Sequence, residues 1–177
     1  MSEILLQKHS EQWNSIFLDE MNALERIVGK GSISFHHIGS TSIPGIIAKP
    51  IIDILGEVSS LGFLDDHKAA VEAEGYLYRG EYGIPGRRYI VGLIPKTKQH
   101  RVHFHIFQRA DPEIRRHLAF RDYLRKHPEV AKEYERLKLD LVDKNEFDKG
   151  KYQDGKADFC ESVIKVALGS SYIPPRR

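Results

Sequence analysis

Hydrophobic positions follow helical spacing near the start of the chain and strand spacing soon after it. Apolar residues recur at intervals of three and four over residues 13–28, and Gly29 follows where a left-handed cap would lie. This pattern predicts an amphipathic helix. Two short apolar runs, at residues 33–38 and 51–55, predict strands that are buried on at least one face. The connecting segment 41–50 contains two prolines, which exclude a long helix between the strands.

The middle of the chain has patterns typical of strands. Residues 76–93 are rich in tyrosine and glycine around the sequence GIPGRR, which predicts a hairpin with a bulky turn. In residues 101–108, the polar residues Arg101, His103 and His105 alternate with apolar ones. Because side chains of a strand point alternately to its two faces, we expect both histidines on one face.

Helical patterns occupy one short segment before the hairpin and most of the C-terminal part. An alanine-rich segment over residues 65–74 predicts a second, short helix. From Asp111 onward the period becomes that of a helix, and the Asp-Pro-Glu sequence provides an N-cap followed by proline at the first helical position. We therefore predict helices near 112–126, 129–144 and 152–168.

These elements predict an α/β fold of the α+β type. We expect a mixed, largely antiparallel sheet that is packed by the N-terminal helix and by a helical C-terminal portion. A chain of 177 residues fits a single domain over residues 1–177, with a sheet-rich part at about 1–110 and a helical part at about 111–168.

Charge and cysteine content narrow the class of protein. The net charge of +2 favours neither a nucleic-acid-binding nor a membrane-surface protein. Cys160 is the only cysteine, which excludes an internal disulfide and a multi-cysteine zinc site. The first ten residues lack the apolar core of a secretion signal, and no apolar run approaches the ~20 residues that span a bilayer. We expect a soluble, cytoplasmic protein without a membrane partner.

The segment with the strongest chemical signal joins the first two predicted strands. Gly39 and Ser40 follow the first strand, and Asp53 lies on the second. A glycine lets the backbone approach a phosphate closely, a serine hydroxyl can bond a phosphate oxygen, and a strand-borne aspartate can hold Mg²⁺ against the same phosphates. The alternative is an ordinary turn with a surface or capping carboxylate.

His103 and His105 add a second chemical signal. Two imidazoles on one strand face can bind a transition metal, contact phosphate as cations, or act as acid and base. Together with Asp53 they would form a ligand set that suits zinc, manganese or iron better than magnesium. The alternative is that one histidine packs against the core while the other is solvated.

Several further side chains are candidates for contact with phosphate. Arg87 and Arg88 lie in the glycine-bounded turn, and Lys49 precedes the second strand. Arg88 is the preferred candidate because it begins an apolar run, which favours an inward orientation. Tyr152 and Lys156 lie one helical turn apart and are placed at the far side of the pocket. For all of these residues, an ordinary solvated surface is the alternative.

Other polar residues carry no functional prediction. His100 and His117 have no partners visible in the sequence and are interpreted as surface residues. Cys160 lies on an apolar helix face and is interpreted as a small core residue. The lysine- and arginine-rich helices over residues 115–138 interleave acidic residues, which is typical of a solvated face and makes nucleic acid a weak candidate partner.

The segment HIGSTSIPGIIAKPIIDI, residues 37–54, resembles the signature of the GrpB family, a set of small, mostly bacterial proteins of the nucleotidyltransferase superfamily. The resemblance extends over nearly the whole chain. It includes the region of Trp13, GIPGRRYI at 83–90, RVHFHIF at 101–107, FRDYLRKHPEVAKEYERLK at 120–138, and Tyr152, Lys156 and Phe159.

The resemblance implies a nucleotidyltransferase-like fold with a metal-dependent phosphate site. In that superfamily a glycine-serine turn opens the active site, and a pair of carboxylates two residues apart on the next strand holds the metal ions. The segment 39–41 and Asp53 match these features, but Leu55 replaces the second carboxylate and Glu57 follows two positions later. Two-metal phosphoryl transfer needs carboxylates that clamp both ions, so one aspartate supplies half of that clamp.

The implied function is metal-dependent binding of a nucleotide or another phosphorylated ligand. In this hypothesis Asp53, His103 and His105 hold Mg²⁺, Mn²⁺ or Zn²⁺ and act in catalysis, while the turn from Gly39 through Ser40 to Thr41 binds phosphate. Nucleotidyl transfer to an acceptor would be the activity. Two alternatives stay open: a nucleotide-binding module without catalysis, and a phosphoester hydrolase with a transition metal at the histidine and aspartate residues.

Overall fold

A computed structural model describes residues 6–144, 149–172 and 174–175. The strands of its single described sheet are β1 (Ile33–Ile38), β2 (Ile52–Val58), β3 (Leu77–Tyr78), β4 (Arg87–Leu93) and β5 (His100–Gln108). The helices are α1 (Gln12–Val28), α2 (Leu61–Asp66), α3 (Lys68–Ala73), α4 (Pro112–Lys126), α5 (Pro128–Lys144) and α6 (Lys149–Leu168), with 3₁₀ turns at Ser40–Ser42 and Gly169–Ser171.

The five strands lie in the order β1-β2-β5-β4-β3. The β2–β5 pair is parallel, whereas β1–β2, β4–β5 and β3–β4 are antiparallel. The predicted mixed, largely antiparallel sheet with an N-terminal helix and a helical C-terminal portion is therefore confirmed. Asp111 caps α4 as expected, since its carboxylate accepts a hydrogen bond from the backbone N–H of Glu113.

Three local features differ from the sequence prediction. The alanine-rich segment forms two short helices, α2 and α3, that are separated at His67 rather than one helix. Strand β2 continues through Gly56 to Val58. The pairing of β4 with β5 shifts register between Gly92 and Leu93, which is a bulge-type irregularity.

Helices cover both faces of the sheet. On the face covered by α1, α2 and α3, here called the α1 face, side chains such as Ile54, Phe104 and Ile106 are buried with Trp13 and Val71. The opposite face, here called the α4 face, carries a smaller apolar core, which consists of Ile38, Leu55, Phe107 and Ile114. Successive side chains of a strand alternate between these faces, so residues two apart on a strand lie on the same face.

The helical C-terminal part has its own apolar core, which reaches the loop between β1 and β2. Ile43 and Ile46 from that loop are buried against Leu124 of α4, Tyr134 of α5 and Val163 of α6. Helices α4, α5 and α6 therefore support the loop that begins with the Gly39–Ser40 turn.

Candidate functional site

Gly39 is required where the chain leaves β1. Its backbone has φ of 69°, a conformation that side chains with a Cβ rarely adopt. A Cβ built at this position would lie 2.6 Å from Oδ2 of Asp53. The turn therefore approaches the carboxylate of the next strand more closely than any other residue would allow.

Two arginines of α4 hold this turn from the helical side. Nη1 of Arg121 donates to the carbonyl of His37 at 3.2 Å, and Nε of Arg125 donates to the carbonyl of Ser42 at 2.9 Å. The His37 ring stacks on Phe17, with ring centroids 5.1 Å apart. Burial, together with the charge of Arg125, lowers the pKa of His37 to about 4, so this ring is a neutral packing group at neutral pH.

The hydroxyl of Thr41 is not available for phosphate. Thr41 is buried, and its Oγ1 lies 2.9 Å from Nε2 of His37. The prediction that Thr41 binds phosphate is therefore corrected for its hydroxyl, because that group is buried as well as bonded to His37. Ser40 is half-exposed at the start of the 3₁₀ turn and hydrogen-bonds to Tyr134 of α5.

Asp53, His103 and His105 come together on the α4 face of the sheet. Asp53 pairs with His103 across the parallel β2–β5 ladder, and His105 lies two residues further on the same side. Oδ1 of Asp53 is 3.1 Å from Nδ1 of His103 and 3.6 Å from Nε2 of His105. One ligand atom from each of the three residues lies within 4.8 Å of the others. The three form the metal-ligand type of cluster that the alternation predicted.

Neighbours of the cluster determine where the ring hydrogens lie. A carboxylate only accepts, so Nδ1 of His103 donates to Asp53, and Nε2 of His103 then accepts from Nδ1 of His100 at 2.8 Å. An arginine only donates, so Nδ1 of His105 accepts from Nη1 of Arg87 at 3.3 Å, and its hydrogen lies on Nε2. The five side chains form a continuous chain of contacts that ends at exposed His100.

The pKa values of Asp53 and His105 are both lowered in the folded protein. Burial alone would raise the pKa of the Asp53 carboxyl, but the hydrogen bonds from His103 and His105 outweigh it and hold that pKa well below its usual range. Burial lowers the pKa of His105, and the charge of Arg87 acts in the same direction. The arrangement is thus an ionised carboxylate between two imidazoles, one of them kept neutral by burial.

The donor set fits a divalent metal. Ligand atoms around a tetrahedral ion lie about 3.4 Å apart when each bond is about 2.0–2.1 Å. The Asp53–His103 and Asp53–His105 separations of 3.1 and 3.6 Å bracket that value. His103 can offer Nδ1 to a metal once its hydrogen moves to Nε2, which then donates to Nδ1 of His100 in place of accepting from it. His105 can offer Nε2 once Arg87 no longer donates to its other nitrogen.

A cluster of lysines and tyrosines lies on the helical side of the same turn. Nζ of Lys49 lies 4.2 Å and Nζ of Lys156 lies 4.5 Å from the ring centroid of buried Tyr152. Nζ of Lys138 lies 4.8 Å from the ring centroid of Tyr134, which itself contacts Ser40. We call Lys49, Lys138 and Lys156 the lysine cluster.

Two members of the lysine cluster, buried Lys138 and half-buried Lys156, form no ion pair with a carboxylate in the described part of the chain. Lys138 is 1% exposed, and in the described part of the chain no carboxylate lies within ion-pair distance of Lys138 or Lys156. Burial, with a contribution from the charge of Lys156, lowers the pKa of Lys138 to about 7. Burial also lowers the pKa of Lys156, while the charges of Cys160 and Asp53 oppose this shift. The charge of Asp53 thus reaches Lys156, which places this lysine on the side of the turn that faces the carboxylate.

Comparison with known proteins identifies the family. A family model described as "GrpB protein" matches residues 3–166. The chain belongs to the GrpB family. The UPF0157 protein YqkA of Bacillus subtilis is 42% identical over 165 residues, which are 93% of this chain and 47% of that protein. The Glutamate-rich protein GrpB of Alkalihalophilus pseudofirmus is 34% identical over 164 residues, 92% of this chain and 94% of that protein. The chain thus spans about half the length of the first relative and nearly all of the second.

Solved structures give the same family and a wider fold class. The conserved protein GrpB from Enterococcus faecalis superposes with a TM-score of 0.86 at 37% identity, over 94% of this chain and 98% of that chain. The nucleotidyltransferase Cid1, in complex with its short product ApU, superposes with a TM-score of 0.52 at 12% identity, over 74% of this chain and 41% of that chain. At that identity the likeness concerns the fold alone, so this GrpB chain has a nucleotidyltransferase-like fold.

The second carboxylate of a two-metal clamp does not reach the site of this GrpB chain. Leu55 is fully buried in the core of the α4 face. Glu57 is four residues from Asp53 along β2, and its Oε1 is 2.8 Å from Nε2 of His36. Among the described residues, the cluster contains one carboxylate and two imidazoles.

Of the two adjacent arginines, Arg87 contacts the site and Arg88 does not. Nε and Nη2 of Arg88 donate to the Asp65 carboxylate at 2.6 and 2.7 Å on the α1 face. The expectation that Arg88 faces the site is wrong, because Tyr89 pairs with His105 and strand alternation then brings Arg87 to the site face. Arg87 is buried and contacts His105.

Sequence reasoning also missed four residues around the GrpB site. His117 is half-buried and packs against His105, with ring centroids 5.8 Å apart, so the interpretation of His117 as a surface residue is corrected. His100, Tyr134 and Lys138 also contact the site residues. One signal was present for Lys138: it continues the helical spacing of buried Ala131 and Tyr134. In the described part of the GrpB chain, no helix combines the length and apolarity that crossing a bilayer requires.

Proposed function

We propose that this GrpB protein binds a nucleoside polyphosphate together with one divalent metal ion. The observation that carries the proposal is the pair of lysines, buried Lys138 and half-buried Lys156, that form no ion pair with a carboxylate in the described chain and lie beside the Gly39–Ser40 turn. Burying an unpaired cation is costly, and an anionic ligand offsets that cost. Phosphates are the anions that a glycine-serine turn and lysines suit best.

Each group has a role in this proposal. Asp53 and His103 would hold the metal, with His105 as a third ligand, and the metal would supply neutralisation of phosphate charge. The Ser40 hydroxyl would donate to a phosphate oxygen, and the lysine cluster would balance the remaining negative charge. Arg87, already at the edge of the cluster, would supply a fork of donors to phosphate.

Within this proposal, the more specific activity is transfer of a nucleotidyl group to an acceptor. It is supported by the nucleotidyltransferase-like fold and by the position of Asp53 on the strand after the turn. The lone carboxylate argues for one-metal chemistry, since a two-metal clamp needs a second acidic ligand. We place the protein in the cytoplasm as part of this proposal, where nucleotides are available.

A second candidate function is hydrolysis of a small phosphoester. The observation that favours it is the ligand set itself, because two imidazoles and one carboxylate suit zinc or manganese better than magnesium. Hydrolysis would use the same Asp53, His103 and His105 cluster without a nucleotide. The two functions differ in which metal stabilises the protein and in whether a nucleotide adds to that effect.

The test is the thermal stability of metal-stripped protein with divalent metals, nucleoside triphosphates, and both together. A ligand that binds the folded state raises the melting temperature by mass action. We expect magnesium or manganese with a nucleotide to raise it more than either alone, and Asp53→Asn to abolish this joint effect. Asp65→Asn, on the α1 face, is the matched control and should keep it.

Each of the other outcomes has a defined meaning. A shift with zinc or manganese alone, unchanged by nucleotide, favours the hydrolase. Absence of any shift in the wild-type protein, or an Asp53→Asn variant that behaves like Asp65→Asn, contradicts the proposal.

A further inference from the structure

Tyr82 is an aromatic side chain held in water next to the candidate site. It is 66% exposed, more than any other large apolar side chain in the described part of the chain. It belongs to the turn between β3 and β4. It is not among the residues that the proposed function gives as contacts for the phosphates or the metal. Exposure alone does not indicate a function for a tyrosine, so the inference depends on the residues that surround it.

One face of the Tyr82 ring is already stacked. The rings of Tyr82 and Tyr89 are nearly parallel, with an interplanar angle of 17° and centroids 5.2 Å apart. Tyr89 in turn lies 5.4 Å from the His103 ring and 5.3 Å from the His105 ring. Tyr82 is therefore the second ring outward from the metal-ligand cluster, and its high exposure leaves the other side of the ring accessible to solvent.

The backbone of Tyr82 is fixed in an unfavourable conformation. Its φ of 44° is in the left-handed region, which a bulky residue rarely adopts. Nη2 of Arg87 donates to the Tyr82 carbonyl at 2.7 Å, and Nε donates to the Glu81 carbonyl at 3.2 Å. The Glu81 carboxylate accepts from the N–H of Gly86 at 2.7 Å, which closes the turn. A glycine at this position would adopt the same backbone conformation without strain, so the tyrosine ring is placed here at an energetic cost.

The order of strands places this ring on the opposite side of the cluster from the lysines. Across the sheet, the Gly39–Ser40 turn follows β1, Asp53 lies on β2, His103 and His105 lie on β5, and Tyr89 lies on β4. Neighbouring strands are about 4.8 Å apart, so β4 lies about 10 Å from β2. That distance is comparable to the length between the phosphates and the base of a nucleotide.

We propose that the open face of Tyr82 is the stacking platform for the base of the bound nucleotide. The proposal rests on the proposed function, since it needs a nucleotide whose phosphates lie between Ser40 and the lysine cluster. Stacking uses the π-face that every base has, so all four bases bind and purines, with the larger ring, bind more tightly.

The test compares two probes in three proteins. Binding of adenosine triphosphate and of inorganic tripolyphosphate is measured by calorimetry, with manganese present, for the wild type, Tyr82→Leu and Tyr82→Phe. We expect Tyr82→Leu to weaken binding of the nucleotide about tenfold and to leave tripolyphosphate unchanged, because only the nucleotide carries a base. Tyr82→Phe keeps the ring and should bind both probes like the wild type.

Other results overturn the platform in distinguishable ways. Unchanged nucleotide affinity in Tyr82→Leu, with wild-type protein that binds both probes, contradicts the platform and leaves the phosphate site intact. Equal weakening of both probes means that Tyr82 acts by holding the turn, which also contradicts the platform. Wild-type protein that binds neither probe contradicts the proposed function, and the platform with it.

Discussion

Some positively charged side chains on the two sides of the sheet differ in the partners that they contact. On the α1 face, charged groups have partners of opposite sign: Glu20, 3% exposed, accepts from Tyr76 at 2.8 Å and lies 2.5 Å from Nη2 of Arg101. Arg88 and Asp65 form a two-point pair on the same face. The charges of these groups are therefore neutralised within the protein.

On the α4 side, buried Arg116 is paired with Glu113 and Glu161, but two other positively charged side chains have neutral partners. Lys138 donates to the carbonyl of Ile47 and lies over Tyr134, while Arg87 donates to His105 and to backbone carbonyls. A protein that neutralises its buried ions on one face is able to do so on the other. We therefore take Lys138 and Arg87 as the groups that the proposed anionic ligand would neutralise, which links this contrast to the proposed function.

The largest expected effect comes from removing one positively charged side chain on each side, buried Lys138 and partly exposed Arg101. Lys138→Met should raise the free energy of unfolding at pH 7 by about 2–4 kcal/mol, because it removes an unpaired buried lysine. Arg101→Met should lower it by about 1–3 kcal/mol, because it leaves Glu20 without its cationic partner. Urea unfolding at pH 7 measures both.

The pH dependence of Lys138→Met provides an independent check. The pKa of Lys138 falls from 10.5 to about 7 on folding, so stability from this group is present above pH 10.5 and lost as the pH falls to 7. The gain from Lys138→Met should therefore be larger at pH 7 than at pH 10. Destabilisation at pH 7, or the same sign for Lys138→Met and Arg101→Met, would contradict the contrast between the two sides.

A second comparison separates backbone strain from displacement of Asp53. Gly39 and Gly45 have φ of 69° and 77°, but only at Gly39 would a Cβ approach another side chain, within 2.6 Å of Asp53. We expect Gly45→Ala to destabilise the protein by about 1 kcal/mol through left-handed strain alone, and Gly39→Ala by more, because its Cβ must also displace Asp53. Only Gly39→Ala should weaken manganese binding, by about tenfold or more, as measured by calorimetry.

Equal manganese affinity in the two alanine variants would mean that Asp53 adjusts without loss. The close approach of the turn to the carboxylate would then have no role in metal binding. Both variants share the left-handed strain, and measuring manganese affinity where both are folded by circular dichroism keeps a general loss of folding from imitating the expected difference.

The smallest expected effect concerns the adjacent arginines. Arg87 donates to Nδ1 of His105, which keeps the ring hydrogen on the nitrogen that faces Asp53. Arg87→Met should free that nitrogen and tighten zinc binding several-fold, up to about tenfold. Arg88→Met, on the α1 face, should leave zinc affinity unchanged. Zinc titration by calorimetry compares the two variants, and weaker binding in Arg87→Met would show that the arginine supports the metal ligands instead.

The parts of the site that could be predicted from sequence depend on local geometry. The glycine-serine turn, Asp53 on the following strand, and the shared face of His103 and His105 follow from turn chemistry and from the two-residue period of a strand. The helix N-cap at Asp111 is local in the same sense. Each of these features needs no knowledge of what packs nearby.

The parts that could not be predicted depend on the pairing of distant segments. The choice of Arg87 over Arg88 follows from the register that aligns Tyr89 with His105. The irregularity at Gly92/Leu93 turns Arg101 toward Glu20 and brings His100 to His103, which breaks the simple alternation expected for this strand. The register between two strands cannot be predicted from the residue propensities or the hydrophobic period of either strand alone.

The parallel pairing of β2 with β5 has a consequence for the folding of the chain. Parallel neighbours cannot be joined by a tight turn, and here Asp53 and His103 are 50 residues apart in sequence. Contacts of such separation form slowly, because the intervening loop must be closed first. On the ribosome, Asp53 thus has no imidazole partner until 50 further residues have been added, and the metal ligands meet only when the central ladder of the sheet is complete.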